Sequence, residues 1–449
     1  MKSPWTEDYL ESLSKKLLEK CSNSETLILN FIGESSQFVR FNRARVRQTG
    51  LVNDGVLEIQ VLQKSSQGMK KASGSLSLRG ELKLDLERCH AELKRIQSAI
   101  GDLPVDPFAE LPPAGETSRF VSKGEILDPE NVVSTVIAPL QGNDAAGLYA
   151  AGSQFRMMKS STGISHWFET ENFLTDYSLY SPNQRAVKRQ FAGQKWNSSQ
   201  FQSNVSEAAE QLKLMELPAR KIPRGSYRVY LAPDAVAEII HMFSWGCVGE
   251  MSLQQGESPL LKLRKGEERF SSQFSLIEDF GLALAPRFNS DGELAPEKLK
   301  IIDEGHLSST LISRRTAKEF NLKSTCAPLS EGLRSTRMMT GSLKNDDVLK
   351  TLGDGIYLSN LHYLNWSDQP SGRITGMTRF ACLLVEKGKM VAPIESMRFD
   401  DTLFNLLGKG LEAVTQSAET IPSNSTYGFR SLSGVQLPGV LVQGLSLTL

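Results

Sequence analysis

Asp234 to Glu250 reads DAVAEIIHMFSWGCVGE. Val236, Ile239, Ile240, Phe243 and Cys247 recur in it at intervals of three and four, which is one apolar stripe of a helix. Pro233 and the acid Asp234 stand where a helix begins, so the spacing predicts a buried helix across the stretch. Around the cylinder from the stripe, Glu238 and His241 lie three apart on one face, with Trp245 a further turn along. One carboxylate and one imidazole are too few for catalytic zinc, which takes three protein ligands, an open position for water and a carboxylate base nearby. By themselves these two side chains read as a hydrogen-bonded structural pair.

Outward from this helix toward the C-terminus the pattern is mostly β. Ser226 to Leu231 alternates as a strand that delivers the chain into the helix. Strands are predicted at Leu260–Leu263, Ser275–Glu278, Lys300–Ile302 with a turn at Asp303-Glu304-Gly305 leading to Leu307–Ile312, Gly355–Leu361, Gly372–Val385, Lys389–Ser396 and Leu437–Leu449. Helices are few: Ser313–Phe320, Asp346–Leu352 and part of Asp400–Ile421. An antiparallel, barrel-like sheet with the opening helix against it fits this order.

Toward the N-terminus, Asp8 to Cys21 has leucines at helical spacing, and Thr26–Ile32 reads as a buried strand. Gln37 to Gln48 reads as a second strand, with Arg43, Arg45 and Arg47 on one face beside Phe41. Asn53-Asp54-Gly55 has the composition of a hairpin turn, followed by the strand Val56–Leu62 and a helix from Glu81 to about Ile100. The three arginines could track phosphates, but one ring is not the aromatic series that a stacking platform needs. The proline-rich run at about 102–118 is a connector. Ala145–Tyr180 reads as a long antiparallel hairpin or meander holding His166, for which a solvated or hydrogen-bonded role is expected, and Val205–Leu217 as a helix. Lys221-Ile222-Pro223-Arg224-Gly225 then breaks the chain. The expected architecture is α+β: an N-terminal α/β domain with antiparallel strands over 1–223, and a C-terminal, mostly antiparallel, barrel-like domain over 224–449.

Lys plus Arg and Asp plus Glu both number 51 in 449 residues, so no global field recruits nucleic acid or an anionic membrane. No apolar run approaches the ~18–20 residues that span a bilayer. The polar start, MKSPWTEDYLESLSKK, lacks a signal-peptide core, and the five scattered cysteines form neither a disulfide framework nor a zinc knuckle. The expected compartment is the cytoplasm.

Several short segments, in order, resemble the TldD/PmbA (TldE) family. They are Gly249, Gly256-Glu257-Ser258 and Gly266 through Ser275-Leu276-Ile277-Glu278-Asp279, then Phe288-Asn289-Ser290-Asp291-Gly292-Glu293 and Ile302-Asp303-Glu304-Gly305. Ser313-Arg314-Arg315-Thr316-Ala317, Leu322-Lys323-Ser324-Thr325, Gly355-Ile356-Tyr357 and Ser371-Gly372-Arg373-Ile374-Thr375-Gly376 continue the order. The arginine-bearing strand, the Asn53-Asp54-Gly55-Val56 segment and the following helix extend it over nearly the whole chain.

The resemblance implies a cytoplasmic peptidase system of two related subunits, in which one carries zinc on an H-E-x-x-x-H helix and cuts unstructured peptide in a chamber between them. Laid on that pattern, His241 is kept, but Met242 stands in place of the base and Gly246 in place of the second histidine. Methionine cannot take a proton from a metal-bound water, and glycine supplies no ligand. This chain is therefore expected to resemble the motif-deficient, TldE/PmbA-type subunit, with no catalytic residue, no cofactor of its own and zinc only in a catalytic TldD-like paralogue. It is expected to form a homodimer when alone and to hold peptide as an added strand, with Gly355, Ile356, Tyr357, Leu358, Gly372 and Gly376 as candidate contacts by analogy. His90, His306 and His362 have no second ligand at metal spacing, and a composite site from His241, Glu238 and His362 or Cys247 is the remaining metal alternative. Two other readings stand beside this one. One is a self-sufficient hydrolase with a different site. The other is a nucleic-acid-linked modulator of DNA gyrase, the family's older label, which the net charge does not support.

Overall fold

In the computed structural model, which describes residues 3–448, the chain opens with helix α1 (Glu7–Leu18), whose N-cap Thr6 accepts the Tyr9 N–H through its hydroxyl. Three antiparallel strands follow, β1 (Glu25–Asn42), β2 (Arg45–Ser65) and β3 (Gly68–Ser77), and then helix α2 (Leu82–Ala99). Next come β4 (Thr117–Ser122), the single turn α3 (Pro129–Val132), β5 (Asp144–Ser160), β6 (Ser165–Tyr180), β7 (Ala186–Gly193) and helix α4 (Ser198–Met215). The strands form one seven-stranded sheet in the order β3-β2-β1-β5-β6-β4, with β7 also on β6. Every pairing in it is antiparallel except that of β4 with β6.

Two local expectations fail here. Arg43 and Ala44, with φ of 54° and 48°, make the β1–β2 turn, so Gln37–Gln48 spans a hairpin and Arg43 is not on a strand face with Arg45 and Arg47. Asn53, Asp54 and Gly55 are not a turn; they lie inside β2, opposite Ser35, Glu34 and Gly33. Gly55 is there because of crowding: a β-carbon on it would stand 2.8 Å from the Trp5 ring and 2.9 Å from Phe31.

The second sheet begins with β8 (Gly225–Leu231), followed by α5 (Pro233–Ser244), α6 (Glu250–Gln254), α7 (Leu260–Arg264), β9 (Leu276–Asp279), β10 (Lys298–Asp303), β11 (His306–Leu307), α8 (Arg314–Phe320) and β12 (Ser335–Met338). After α9 (Val348–Leu352) come β13 (Gly355–Asp368), β14 (Arg373–Glu386), β15 (Lys389–Pro393), β16 (Arg398–Thr402), β17 (Leu411–Pro422) and β18 (Gly434–Leu447). These eleven strands form one mixed sheet, and β18 returns to pair with β8, closing a partial ring through β16, β14 and β13. The class is α+β, as expected.

Leu260–Leu263 is helix rather than strand; the Ser258 hydroxyl accepts the Leu260 N–H at its start. Asp400–Ile421 is helical only in part, as expected: a short helical stretch with a five-residue π turn at Asn405–Lys409 lies between β16 and β17. The second arm of the Asp303-Glu304-Gly305 hairpin has only two strand residues.

The two sheets are joined through α4. Phe201, Val205, Ala208 and Leu212 share one buried apolar cluster with Tyr177 and Val187 of the first sheet and Tyr357, Leu383 and Val385 of the second. The proline-rich connector bridges them as well: Lys318 donates to the Ala109 carbonyl at 3.1 Å and Arg315 sits 4.5 Å from the Phe108 ring centroid. Among the described residues no helix is long and apolar enough to cross a membrane.

Candidate functional site

Helix α5 is the wall on which the site is built. Its stripe Val236, Ile239, Ile240 and Phe243 is fully buried and shares one core with Val229, Leu231, Ile356, Leu358, Val440 and Val442 of the ring strands. Burial of each such side chain contributes roughly 1.5–3 kcal/mol. The helix stops at Ser244, six residues earlier than expected, because the chain turns at Gly246 with φ of +76°. Trp245 is the C-cap, not a further turn, and Cys247 is buried beyond the helix. The turn is tied down from three directions. Trp366 Nε1 donates to the Trp245 carbonyl at 2.8 Å, and Ser252 Oγ and Gln369 Nε2 donate to the Gly246 carbonyl at 2.8 and 3.1 Å.

The opposite face of α5 lines a cavity of about 340 Å³ with Asp234, Glu238 and His241. Asn360, Leu361 and His362 of β13, Arg379 and Phe380 of β14, and Lys188 and Gln190 of β7 form other walls. Pro422–Asn424 and Ser433–Val435 close a further side. Three candidates of the composite metal site, Glu238, His241 and His362, thus do meet around one cavity. Cys247 does not; it is wholly buried in the core and burial pushes its thiol up. Among the described residues no three His, Cys, Asp or Glu side chains converge to hold a metal ion. At the motif positions Met242 is 3% exposed within the core and Gly246 offers no donor, so the donor set does not fit a catalytic zinc.

Concavity governs the electrostatics. Burial pushes the Asp234 carboxyl up to about 7, with the charge of Glu419 adding to the shift and Arg189 and Lys188 opposing it. Burial also raises Glu238, against Lys188, and lowers the imidazole of His241. His362 is lowered by burial and then by the charges of Arg379 and Lys188. A carboxyl that titrates higher in the folded protein than its ordinary 3.8 contributes stability that is full below the unfolded value and lost as pH rises through about 7. Asp234→Asn will remove this dependence, so the variant gains stability relative to the parent between about pH 4 and pH 8. Urea midpoints measured across that window check it; a constant difference between the two proteins would show that Asp234 does not titrate there.

The peptide-contact candidates lie on β13, on β14 and at the turn before β14. Gly355 to Leu358 have no free edge: β14 pairs them on one side, and β8 pairs Ile356, Tyr357 and Leu358 on the other. Gly376 faces Phe399 of β16 in register, and a β-carbon on it would stand 2.7 Å from that ring. Gly372, at φ +68°, turns the chain into β14 beside Pro259 and Phe404. From Asn360 onward, however, β13 pairs only with β14 among the described residues, because β8 has ended at Leu231. That segment borders the cavity.

The other histidines serve structure or lie apart. His166 is buried, within 2.8 Å of the Ser118 hydroxyl and 3.1 Å of the Gly292 carbonyl, and stacks on Phe288. His90 lies on α2 and His306 on the β10–β11 hairpin. Lys188, Arg379 and the 421–435 segment carry no local signal in sequence; only the packing of β7 against β14 and β17, and of β13 and β17 against α5, brings them to the site.

The sequence profile of the PmbA/TldA metallopeptidase C-terminal domain matches residues 224–449. A metalloprotease of Methanocaldococcus jannaschii is 24% identical over 229 residues, 48% of this chain and 49% of that protein. A metalloprotease TldD homologue of Buchnera aphidicola is 25% identical over 249 residues, 52% of this chain and 49% of its own length. The chain thus spans about half the length of the curated relatives it matches. Among solved structures, TldE from Thermococcus kodakarensis superposes with a TM-score of 0.74 at 13% identity, covering 98% of this chain and all of that one. A candidate modulator of a DNA gyrase from Thermotoga maritima gives 0.73 at 15%, covering 98% and 100%. At these identities the superpositions establish the fold.

Proposed function

This chain belongs to the PmbA/TldD metallopeptidase family, and from that premise we propose that it is the motif-deficient subunit of a two-subunit peptidase system acting on unstructured peptides in the cytoplasm. The observation that carries this reading is the fate of the two motif positions. Met242 belongs to the apolar core and Gly246 to a left-handed turn anchored by Gln369 and Ser252. Neither side chain supplies a base or a ligand. The catalytic zinc would then reside in a TldD-like paralogue, and this chain would carry none.

Its part is to present peptide. An extended chain can add as a strand along the unpaired side of β13 from Asn360 onward, where backbone groups give affinity without regard to sequence. This places the contact higher on β13 than Gly355–Leu358. In this reading residues 224–449 form the family's domain and 1–223 its companion.

Related subunits pair through equivalent surfaces about a two-fold axis, and a lasting pair needs an interface on the order of 1,600 Å². Light scattering should give a dimer for the chain alone and a heterodimer after mixing with the catalytic paralogue. The paralogue should cleave an unstructured peptide fully only in the mixture. A monomer in both conditions, or full cleavage by the paralogue alone, overturns the reading.

A further inference from the structure

We infer that Arg379, supported by Lys188, is a carboxylate-binding subsite in the cavity beside α5, and that the group it takes is a carboxylate of the bound peptide, at its C-terminus or on an acidic side chain. The inference rests on the peptide-presenting reading above and deepens it.

Arg379 is an exposed arginine on the wall of a concave site. Several arginines of this half have acidic partners: Arg264 holds Glu250, Arg337 holds Asp279, and Arg228 holds Glu412. The Arg379 guanidinium has no ion pair or hydrogen bond among the described residues and lies only over the neighbouring Phe380 ring, 5.2 Å from its centroid. A planar fork of five donors matches a carboxylate in two parallel hydrogen bonds. Such a group, open on the wall of a cavity, can receive an anionic ligand.

The backbone is arranged to put it there. Successive residues of a regular strand point to opposite sides, yet Arg379 and Phe380 both line the cavity. The pairing of β13 with β14 shifts register between Leu358 and Asn360, and Phe380 has φ of +59°, a left-handed conformation that a phenylalanine adopts only when its surroundings impose it. This bulge breaks the alternation.

Charge in the cavity is also divided by wall. Asp234 and Glu238 stand on α5, whereas Arg379 and Lys188 come from the strands, and both strand cations act on His362. Lys188 is already paired with Asp176 at 3.0 Å, so it lends field while Arg379 supplies the open donors.

The test is fluorescence anisotropy of the full chain with a labelled, unstructured peptide free of Asp and Glu, made as the C-terminal acid and as the C-terminal amide. A third peptide carries the amide and one internal Glu. The acid should bind at least about tenfold more tightly than the amide, the worth of one charge-assisted pair. Arg379→Ala should bring the acid down to the amide's affinity and leave the amide unchanged, and Arg379→Lys should recover part of the loss. Recovery of binding by the internal Glu would assign the subsite to acidic side chains; its absence would assign it to the chain terminus. Equal binding of all three peptides to the parent protein overturns the subsite while leaving peptide presentation standing, and requires no variant. Failure of every peptide to bind overturns both.

Discussion

Restoring the two lost motif side chains together, Met242→Glu with Gly246→His, will destabilise the protein rather than create a zinc site. Met242 is 3% exposed among the apolar side chains that seat α5 in the ring. A carboxyl placed there has no described partner to receive it, at a cost of about 2–5 kcal/mol, and it will stay protonated at neutral pH. Gly246 sits at φ +76°, and a β-carbon there would stand 2.6 Å from Gln369 Nε2. The side-chain amide can swing away, but only by giving up its bond to the Gly246 carbonyl, and a histidine in this conformation costs about 1–3 kcal/mol more. The sum, on the order of 3–8 kcal/mol, is a large part of the ~5–15 kcal/mol that holds an ordinary domain together. Urea denaturation of both single variants and the double, with zinc stoichiometry of each and of the parent, checks this. A stable double variant with near-equimolar zinc would sink it, and so would zinc in the parent that is lost on His241→Ala.

Glu250→Ala should also be destabilising, for the opposite reason: it removes a buried charge that is fully partnered. Glu250 is 3% exposed at the start of α6. It accepts two bonds from Arg264 at 2.9 and 2.6 Å, one from Thr310 at 2.6 Å and one from Gln254 at 2.7 Å. Its removal leaves the buried Thr310 hydroxyl without its acceptor and Arg264, itself 38% exposed, without its ion pair, which costs about 1–3 kcal/mol. Burial by itself would raise this carboxyl, but the hydrogen bonds from Arg264, Thr310 and Gln254 outweigh it and hold the pKa below its ordinary 4.5. A depressed folded pKa means the contribution is fully present above the unfolded value and fades as pH falls through the folded one. The gap in stability between parent and variant should therefore be constant at neutral pH and shrink below about pH 4.5. Chemical denaturation at several pH values reads both quantities; a loss under about 1 kcal/mol at neutral pH would show that the network is not holding the fold.

Much of this molecule was written locally. The apolar stripe of α5 was visible because a helix repeats every 3.6 residues, and Val236, Ile239, Ile240 and Phe243 obey that period without any partner in view. The α+β class and the long β5–β6 hairpin followed from residues alone, and the absence of the motif's base and second histidine from the family resemblance. Local chemistry misled where a distant neighbour set the conformation. Asn53-Asp54-Gly55 has a turn's composition, but its glycine makes room for Trp5 and Phe31, and the turn falls on Arg43 and Ala44 instead. Leu260–Leu263 is too short for its period to separate helix from strand.

The cavity lay beyond any reading of spacing. Its walls come from segments up to 247 residues apart, from Lys188 to Val435, and only the closing of the ring and the packing of β7 against it bring them together. Sequence determined which chemical groups this chain lacks, because a missing side chain is missing in every conformation. The tertiary structure decided what its remaining groups do, because exposure, pairing and charge at Asp234, Met242 and Arg379 are set by neighbours that the chain meets only when folded.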